Sequence, residues 1–518
     1  MINNTSTTVC DDEFSNLKNR VRELENLVKF YEEQFKLFKK RQFGVSSEKS
    51  EYDQLKIDEL IESGDLEASI KDEHTNLELI KSHFRKAKTT RADSLPKDIV
   101  VEEIICELSA EERLCPECGD EMNIMGNEYR DELVVIPAKT MIRRYTARAY
   151  ICKDCSKTTE RTPIAKAMWP NPVIKGSFAS PESIAYSAHQ KFTMGIPLYR
   201  QEQEWKRQDV LISRQTMANW LIRSAKDWLE PIMYELKRRL LLSKVLHADE
   251  TTFQVLKEPG KRAQSKSYLW CYRTSGDTDE PIVLAEYRPD RKTYNPTIFL
   301  EGFSGYLHAD GYDAYHKLPP EIVVVGCWSH VRRKWDEALK IIKPEDRAGS
   351  MAMTGKQYCD KLFSVEREIA HFNASQRYEH RIRKLKPLMD EFFGWITGIE
   401  AAVRPKSPTG SAISYMLSQK QYLQNILLDG RLELSNNRIE RTIKPFVLSR
   451  KNFLFADTQR GADTAAIFFS LIETAKETGL NPYDYLTYVF RTAPNMDISN
   501  PDNLSTLLPA GYKKIYCP

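Results

Sequence analysis

Asp249 closes an apolar run, KVLHADETTFQV over residues 244–255, and Asp310 closes another, GYLHADGYDAY over 305–315. The tripeptide His-Ala-Asp therefore occurs twice, each time where a strand would end. One aspartate at a strand end is ordinarily a turn residue or a helix cap. Two on neighbouring strand ends can do more, because carboxylates are hard oxygen ligands for divalent cations. A pair of such cations about 3.5 to 4 Å apart clamps the attacking and leaving oxygens of a phosphodiester. That chemistry calls for a third acid. The stretch DGRLELSNNRIERTIKPFVLSRKNFLF supplies Glu440 on a short helix that Asn436 and Asn437 can cap, with Arg441, Lys444, Arg450 and Lys451 behind it as bases suited to phosphate. Two other glutamates compete for the role. Glu433 lies in an alternating run where it would face solvent, and Glu473 sits inside the mostly apolar SLIETAK helix as a buried structural partner.

HADET and ADGYDAY, with GCWSHVRRKW, LSNNRIER, SRKNFLF and SLIETAKETGLNPYDYL, resemble the transposases of the insertion-sequence-66 family, which belong to the DDE group. The resemblance covers nearly the whole chain. It implies a DNA transposase that cleaves element ends and joins them to target DNA, with Asp249, Asp310 and Glu440 holding Mg2+ or Mn2+. Water would cleave the end, and the freed 3′ hydroxyl would attack the target. No covalent protein intermediate is required, so no activated Ser, Tyr or Cys is needed. The residues alone reach only as far as metal-dependent phosphodiester transfer. Two alternatives stay open: a nuclease without joining activity, and a non-catalytic zinc and coiled-coil DNA-binding regulator. The presence of all three acids counts against the regulator. The resemblance also implies small accessory proteins as partners beside DNA.

At 518 residues the chain is too long for one ordinary core and should form several domains. The formal net charge of +3 excludes a uniformly basic nucleic-acid coat, so DNA contact must come from local patches. No apolar leader follows Met1, and no apolar run approaches the roughly eighteen residues of a membrane helix. A bacterial cytoplasmic protein, nucleoid-associated when bound to DNA and without a membrane partner, is the expectation. Ten cysteines, four of them in two Cys-x-x-Cys pairs, argue for metal binding in a reducing compartment rather than a disulfide framework.

The elements that must position these groups form a multidomain α+β chain. Phe14, Leu17, Val21, Leu24, Val28, Tyr31, Phe35 and Phe38 alternate by three and four, which predicts a coiled coil over 10–42 and a homodimer or higher oligomer. An amphipathic helix packed on its own domain is the alternative. Residues 43–98 read as a linker with a basic stripe at Lys81, Arg85, Lys86, Lys88 and Arg91. Over 99–165 a zinc ribbon-like module is expected, with Cys115, Cys118, Cys152 and Cys155 as tetrahedral Zn2+ ligands. Cys106 stands outside both pairs. Residues 166–240 are helical and helix-turn-helix-like. PLYRQEQEWKRQ, the break DVLIS and RQTMANWLIRSAKDWL follow one another there, with Ser213 as N-cap and Arg214, Gln215 and Asn219 set to meet DNA.

Strands at 244–255, 267–273, 281–287, 305–308 and 322–327, with helices around 296–302 and 330–339, give the order of a ribonuclease H-like α/β catalytic domain. Its first part is 241–343, followed by a helical insertion at 344–424 and a second part at 425–491. The second part carries a helix over 462–478 ending at Gly479 and another from Asn481-Pro482 to Phe490. His330, Arg332 and Arg333 follow the fifth strand and would contact phosphate; Cys327 there is no nucleophile. The tail over 492–518, rich in Pro and Asn, reads as irregular chain with Leu507-Leu508-Pro509 docking back.

Overall fold

The computed structural model describes residues 77–80, 83–86, 139–151 and 164–516; the predicted heptad seam and the paired cysteines Cys115, Cys118, Cys152 and Cys155 lie outside them. The described residues before 147 belong to one compact unit and those after it to another. In the first, β1 (Leu77–Ile80) and β2 (His83–Lys86) pair as an antiparallel hairpin. This corrects part of the linker reading of 43–98: the alternation in Leu-Glu-Leu suits a strand of period two, and Arg85 and Lys86 lie in β2.

In the second unit, β3 (Ala149–Ile151) pairs antiparallel with β4 (Ile164–Lys166). Four helices follow: α1 (Pro181–Ala188), α2 (Leu198–Arg207), α3 (Arg214–Ser224) and α4 (Glu230–Leu241). Helix α2 ends in a tight turn whose Asp209 adopts φ 57°, a left-handed conformation that Asp tolerates better than branched residues. Ser213 then opens α3 by accepting the Thr216 N–H at 3.1 Å. Helix, tight turn and helix thus form where the sequence predicts them.

The centre is a five-stranded mixed sheet. Its strands are β5 (Val245–Thr252), β7 (Tyr268–Thr274), β8 (Val283–Arg288), β9 (Gly305–Ala309) and β10 (Ile322–Gly326); the short β6 (Val255–Lys257) stands apart from them. Helices α5 (Tyr294–Phe299) and α6 (Asp313–His316) lie in the connections. The order is β10-β9-β5-β7-β8, with β7 antiparallel to β5 and β8, and β9 parallel to β5 and β10. Val245 to Ala248 are buried, and burial loosens from Asp249 onward, so β5 leaves the core at its acid.

Helix α7 (Trp328–Ile341) leads into the insertion, made of α8 (Met351–Glu368), α9 (Ala374–His380), α10 (Lys386–Glu400), α11 (Pro408–Ser418) and α12 (Lys420–Gln424). Trp328 and Trp335 of α7 are buried with Met389 and Phe392 of α10 and Met416 of α11, so the insertion has its own core, built on the helix that starts beside the strand ends. A Cβ at Gly355 of α8 would stand 2.3 Å from the Trp335 ring, so only glycine permits this approach.

Beyond the insertion come α13 (Asn437–Phe453), β11 (Ala456–Thr458), α14 (Gln459–Glu477), α15 (Pro482–Thr492), α16 (Pro501–Leu507) and α17 (Pro509–Tyr516). Strand β11 pairs in parallel with β6. Helix α14 lies along the edge strand β8, where Ser470 Oγ accepts the Ala285 N–H at 2.7 Å and Thr474 Oγ1 accepts the Val283 N–H at 3.0 Å. Backbone groups that would template another strand are thereby satisfied. The tail corrects the expectation of irregular chain. Asn500 accepts the Asp502 N–H at 2.9 Å to start α16, and Leu507 and Leu508 are buried. Its Pro and Asn residues act as helix starts. Among the described residues no helix is long and apolar enough to cross a membrane.

Candidate active site

The repeated tripeptide is in step across two parallel strands. His247 of β5 pairs with His308 of β9, and their rings stack at 4.4 Å with 14° between planes. Asp249 and Asp310 each follow two residues after these paired histidines, Asp249 still within β5 and Asp310 just past the end of β9. On the far side of β9, Val325 pairs with His308 and Gly326 with Ala309, and Cys327 is the next residue after β10. The Asp249 carboxylate accepts the Glu250 N–H at 2.9 Å, and that of Asp310 accepts the Tyr312 N–H at 2.9 Å.

Glu250, which sequence reasoning passed over although it lies within HADET, is a further acid at this edge. Its side chain is only 1% exposed and ion-paired with Arg291. The Tyr315 hydroxyl donates to it at 2.6 Å and Arg291 Nε at 2.6 Å. Burial, then the Asp310 charge, pushes its carboxyl above the ordinary range. Tyr315, deeply buried, is raised by that burial and by Glu250, and Asp249 and Asp310 add to the effect.

Glu440 arrives on α13, which runs for 17 residues rather than forming a short helix. Pro445 removes one intrahelical bond, and burial of Ile443 and Phe446 keeps the helix going. The Glu440 side chain is 9% exposed; Oε1 stands 3.8 Å from His330 Nδ1, and Oε2 stands 3.7 Å from Arg333 Nη2. Cys327 Sγ, a His330 ring nitrogen and a Glu440 oxygen all lie within 4.8 Å of one another. Burial and the Glu440 charge push the Cys327 thiol up to about 12, although the Asn436 N–H bonds its sulfur at 3.1 Å.

Asn436 does not cap α13 with its side chain. Its amide is buried, donating from Nδ2 to the Ala248 carbonyl at 2.8 Å and meeting His247 Nδ1 through Oδ1 at 2.9 Å. The carbonyl fixes the amide orientation, so His247 Nδ1 donates to Asn436 Oδ1. His308 accepts the Glu433 N–H on Nε2 at 3.1 Å, and burial with the adjacent His247 keeps its ring neutral. Glu433 accordingly does not face solvent. Its carboxylate is 3.7 Å from His247 Nε2 and accepts from Arg438 Nε at 2.6 Å. Burial opposes its charge, but His247 and Arg438 hold it well below the ordinary carboxylate range. Glu473 is buried and paired with Lys476 at 2.8 Å.

The predicted DNA-contacting residues divide. Arg214, Gln215 and Asn219 are exposed on α3, with Gln215 Nε2 donating to Asn219 Oδ1 at 3.4 Å. Lys451 is exposed, Arg441 and Lys444 are half-buried, and Arg450 donates to the Thr252 carbonyl at the end of β5. Arg332 is taken by Asp360 of α8 at 2.7 Å, and Arg333 is buried against Glu440. His330 and Arg333 are turned toward an acid rather than toward open surface.

Comparisons with known proteins agree with the motifs. The model for the transposase IS66 family matches residues 176–464, the IS66 C-terminal element 470–510, the zinc-finger binding domain of transposase IS66 112–156, and the transposase C of IS166 homeodomain 31–104. The chain belongs to the transposase IS66 family. Two similar proteins of Sinorhizobium fredii, both described as uncharacterized, are y4qI, 30% identical over 76% of this chain and 73% of its own, and y4hP, 28% identical over 81% and 76%. The zinc-finger match spans all four paired cysteines.

Proposed function

We propose that the chain is a DNA transposase that cleaves element ends and joins them to target DNA, with Asp249, Asp310 and Glu440 as its metal-holding acids in a ribonuclease H-like domain. The observation that carries this reading is the repeated His-Ala-Asp, whose histidines are in register on adjacent parallel strands; Glu440 stands on α13 beside Cys327 and His330, which follow β10. Three antiparallel strands, with two parallel strands added beyond the first, support the ribonuclease H-like assignment.

Three carboxylates form an oxygen donor set that fits Mg2+ or Mn2+. A cation of that kind supplies Lewis-acid polarisation of the scissile phosphodiester. The chain's own residues do the positioning. Asn436 ties the start of α13 to β5 beside Asp249, and His330 and Arg333 orient the Glu440 oxygens. Arg214, Gln215 and Asn219 present an exposed polar face to DNA, and Lys451, Arg450, Arg441 and Lys444 lie where phosphate would pass. Cys115, Cys118, Cys152 and Cys155 hold one structural Zn2+, and the seam over 10–42 brings two chains, and so two ends, together. The protein acts in the bacterial cytoplasm on nucleoid DNA.

The deciding experiment incubates the full chain with paired element ends, target DNA and Mg2+. Joined product from the native protein, and none from Asp249→Asn with end binding retained, is the expected result. Cleavage without joining would favour the nuclease instead.

A further inference from the structure

A cysteine, a histidine and a glutamate from two distant segments meet where α7 begins. Cys327 is the N-cap of that helix and His330 lies in its first turn, a Cys-x-x-His step that turns both side chains to one side. Glu440 approaches from α13, and one donor atom of each residue lies within 4.8 Å of the others. The two Glu440 oxygens divide their work, Oε1 toward His330 Nδ1 at 3.8 Å and Oε2 toward Arg333 at 3.7 Å. A tetrahedral zinc with its usual ligand lengths keeps donor atoms roughly 3.3 to 3.7 Å apart, so small side-chain rotations would close the set.

The sulfur has a polar partner of its own. The Asn436 N–H donates to Cys327 Sγ at 3.1 Å. That bond leans toward thiolate, but burial and the Glu440 charge outweigh it, so the thiol ionises only as the cation binds. Donor chemistry then sets the ion. The Asp249 and Asp310 carboxylates suit magnesium-class cations, whereas thiolate with imidazole and a single carboxylate selects a zinc-class cation.

We propose that Cys327, His330 and Glu440 form a binding site for a Zn2+-class ion, distinct from the four-cysteine module, and that zinc held there competes with the magnesium-class site for Glu440. Binding releases the Cys327 thiol proton to solvent. His330 ligates through Nδ1 with its proton on Nε2, and a fourth position stays open. The competition clause rests on the proposed transposase function; the metal site does not.

The test counts metal on the full-length protein after zinc loading and dialysis, for the native chain, Cys327→Ser, His330→Ala and the control Cys359→Ser, which removes a buried thiol from α8. Cys327→Ser and His330→Ala are expected to hold one ion per chain fewer than the native protein, and Cys359→Ser the same number. After Co2+ loading, the native-minus-Cys327→Ser difference spectrum should show thiolate-to-metal charge transfer. Equal metal content and equal spectra in folded His330→Ala and native protein would overturn the site, even if Cys327→Ser does not fold. Zinc should inhibit Mg2+-dependent joining at lower concentration in the native protein than in Cys327→Ser; equal sensitivity would overturn the competition. Absence of joining in every preparation would count against the transposase reading, while the metal count would still decide the site.

Discussion

His247 and His308 stack at 4.4 Å on adjacent parallel strands, and each ring binds the segment leading into α13, His247 through the Asn436 side chain and His308 through the Glu433 N–H. The histidines of the two His-Ala-Asp repeats thus join the strands that lead to Asp249 and Asp310 to the helix that carries Glu440.

Asn436→Ala tests that joint. It strands the His247 Nδ1–H and the Ala248 carbonyl in a buried place, which should cost about 2 to 4 kcal/mol of unfolding free energy. Denaturant unfolding measures it. A change below about 0.5 kcal/mol, the range of ordinary surface substitutions, would show that the joint is not structural.

Among the glutamates, Glu440→Gln should eliminate Mg2+-dependent cleavage and joining with the fold retained. Glu433→Gln should instead lower the melting temperature, because it weakens a buried pairing with Arg438 and His247. Glu473→Gln should remain folded and active. An inactive, folded Glu473→Gln beside an active Glu440→Gln would refute the assignment.

Lys191 offers a pH signature. Its ammonium is 4.2 Å from the Phe453 ring centroid, and burial lowers its pKa from 10.5 to about 8. Below that value the lysine is charged in both folded and unfolded chains, and the folded chain bears the cost of burying it. Between about 8 and 10.5 the folded chain has shed the proton while the unfolded chain keeps it, so native stability gains as pH rises. Lys191→Met should therefore be more stable near neutral pH by roughly 1 to 3 kcal/mol. Its advantage should fade through that window; an advantage independent of pH would contradict the assignment.

Zinc in the N-terminal module should be lost with Cys118→Ser, and the module's resistance to proteolysis with it. The melting of the unit built on the five-stranded sheet should not change. Full zinc content in that variant would remove Cys118 from the ligand set.

Deleting residues 10–42 should convert the native oligomer to monomer in sedimentation, because the 3,4 seam is the predicted dimer contact. An unchanged oligomer would place self-association elsewhere.

The sequence alone determined where the sheet strands run, because strand burial is a local pattern of period two; it put Asp310 rightly just past β9, but Asp249 does not close its strand, since β5 stays paired with β7 as far as Thr252. It also located the helices around Ser213, Gly479 and Asn481, since caps and helix stops are set by neighbouring backbone. The tertiary structure decided what those patterns touch. That Asn436 binds His247 and Ala248 rather than capping its helix, that Glu433 is drawn inward by His247 and Arg438, and that Cys327 and His330 face Glu440 are contacts between segments separated by the whole insertion. Such partners depend on how α7 and α13 pack against the sheet, and no periodicity within either segment encodes the side chain it meets across that packing.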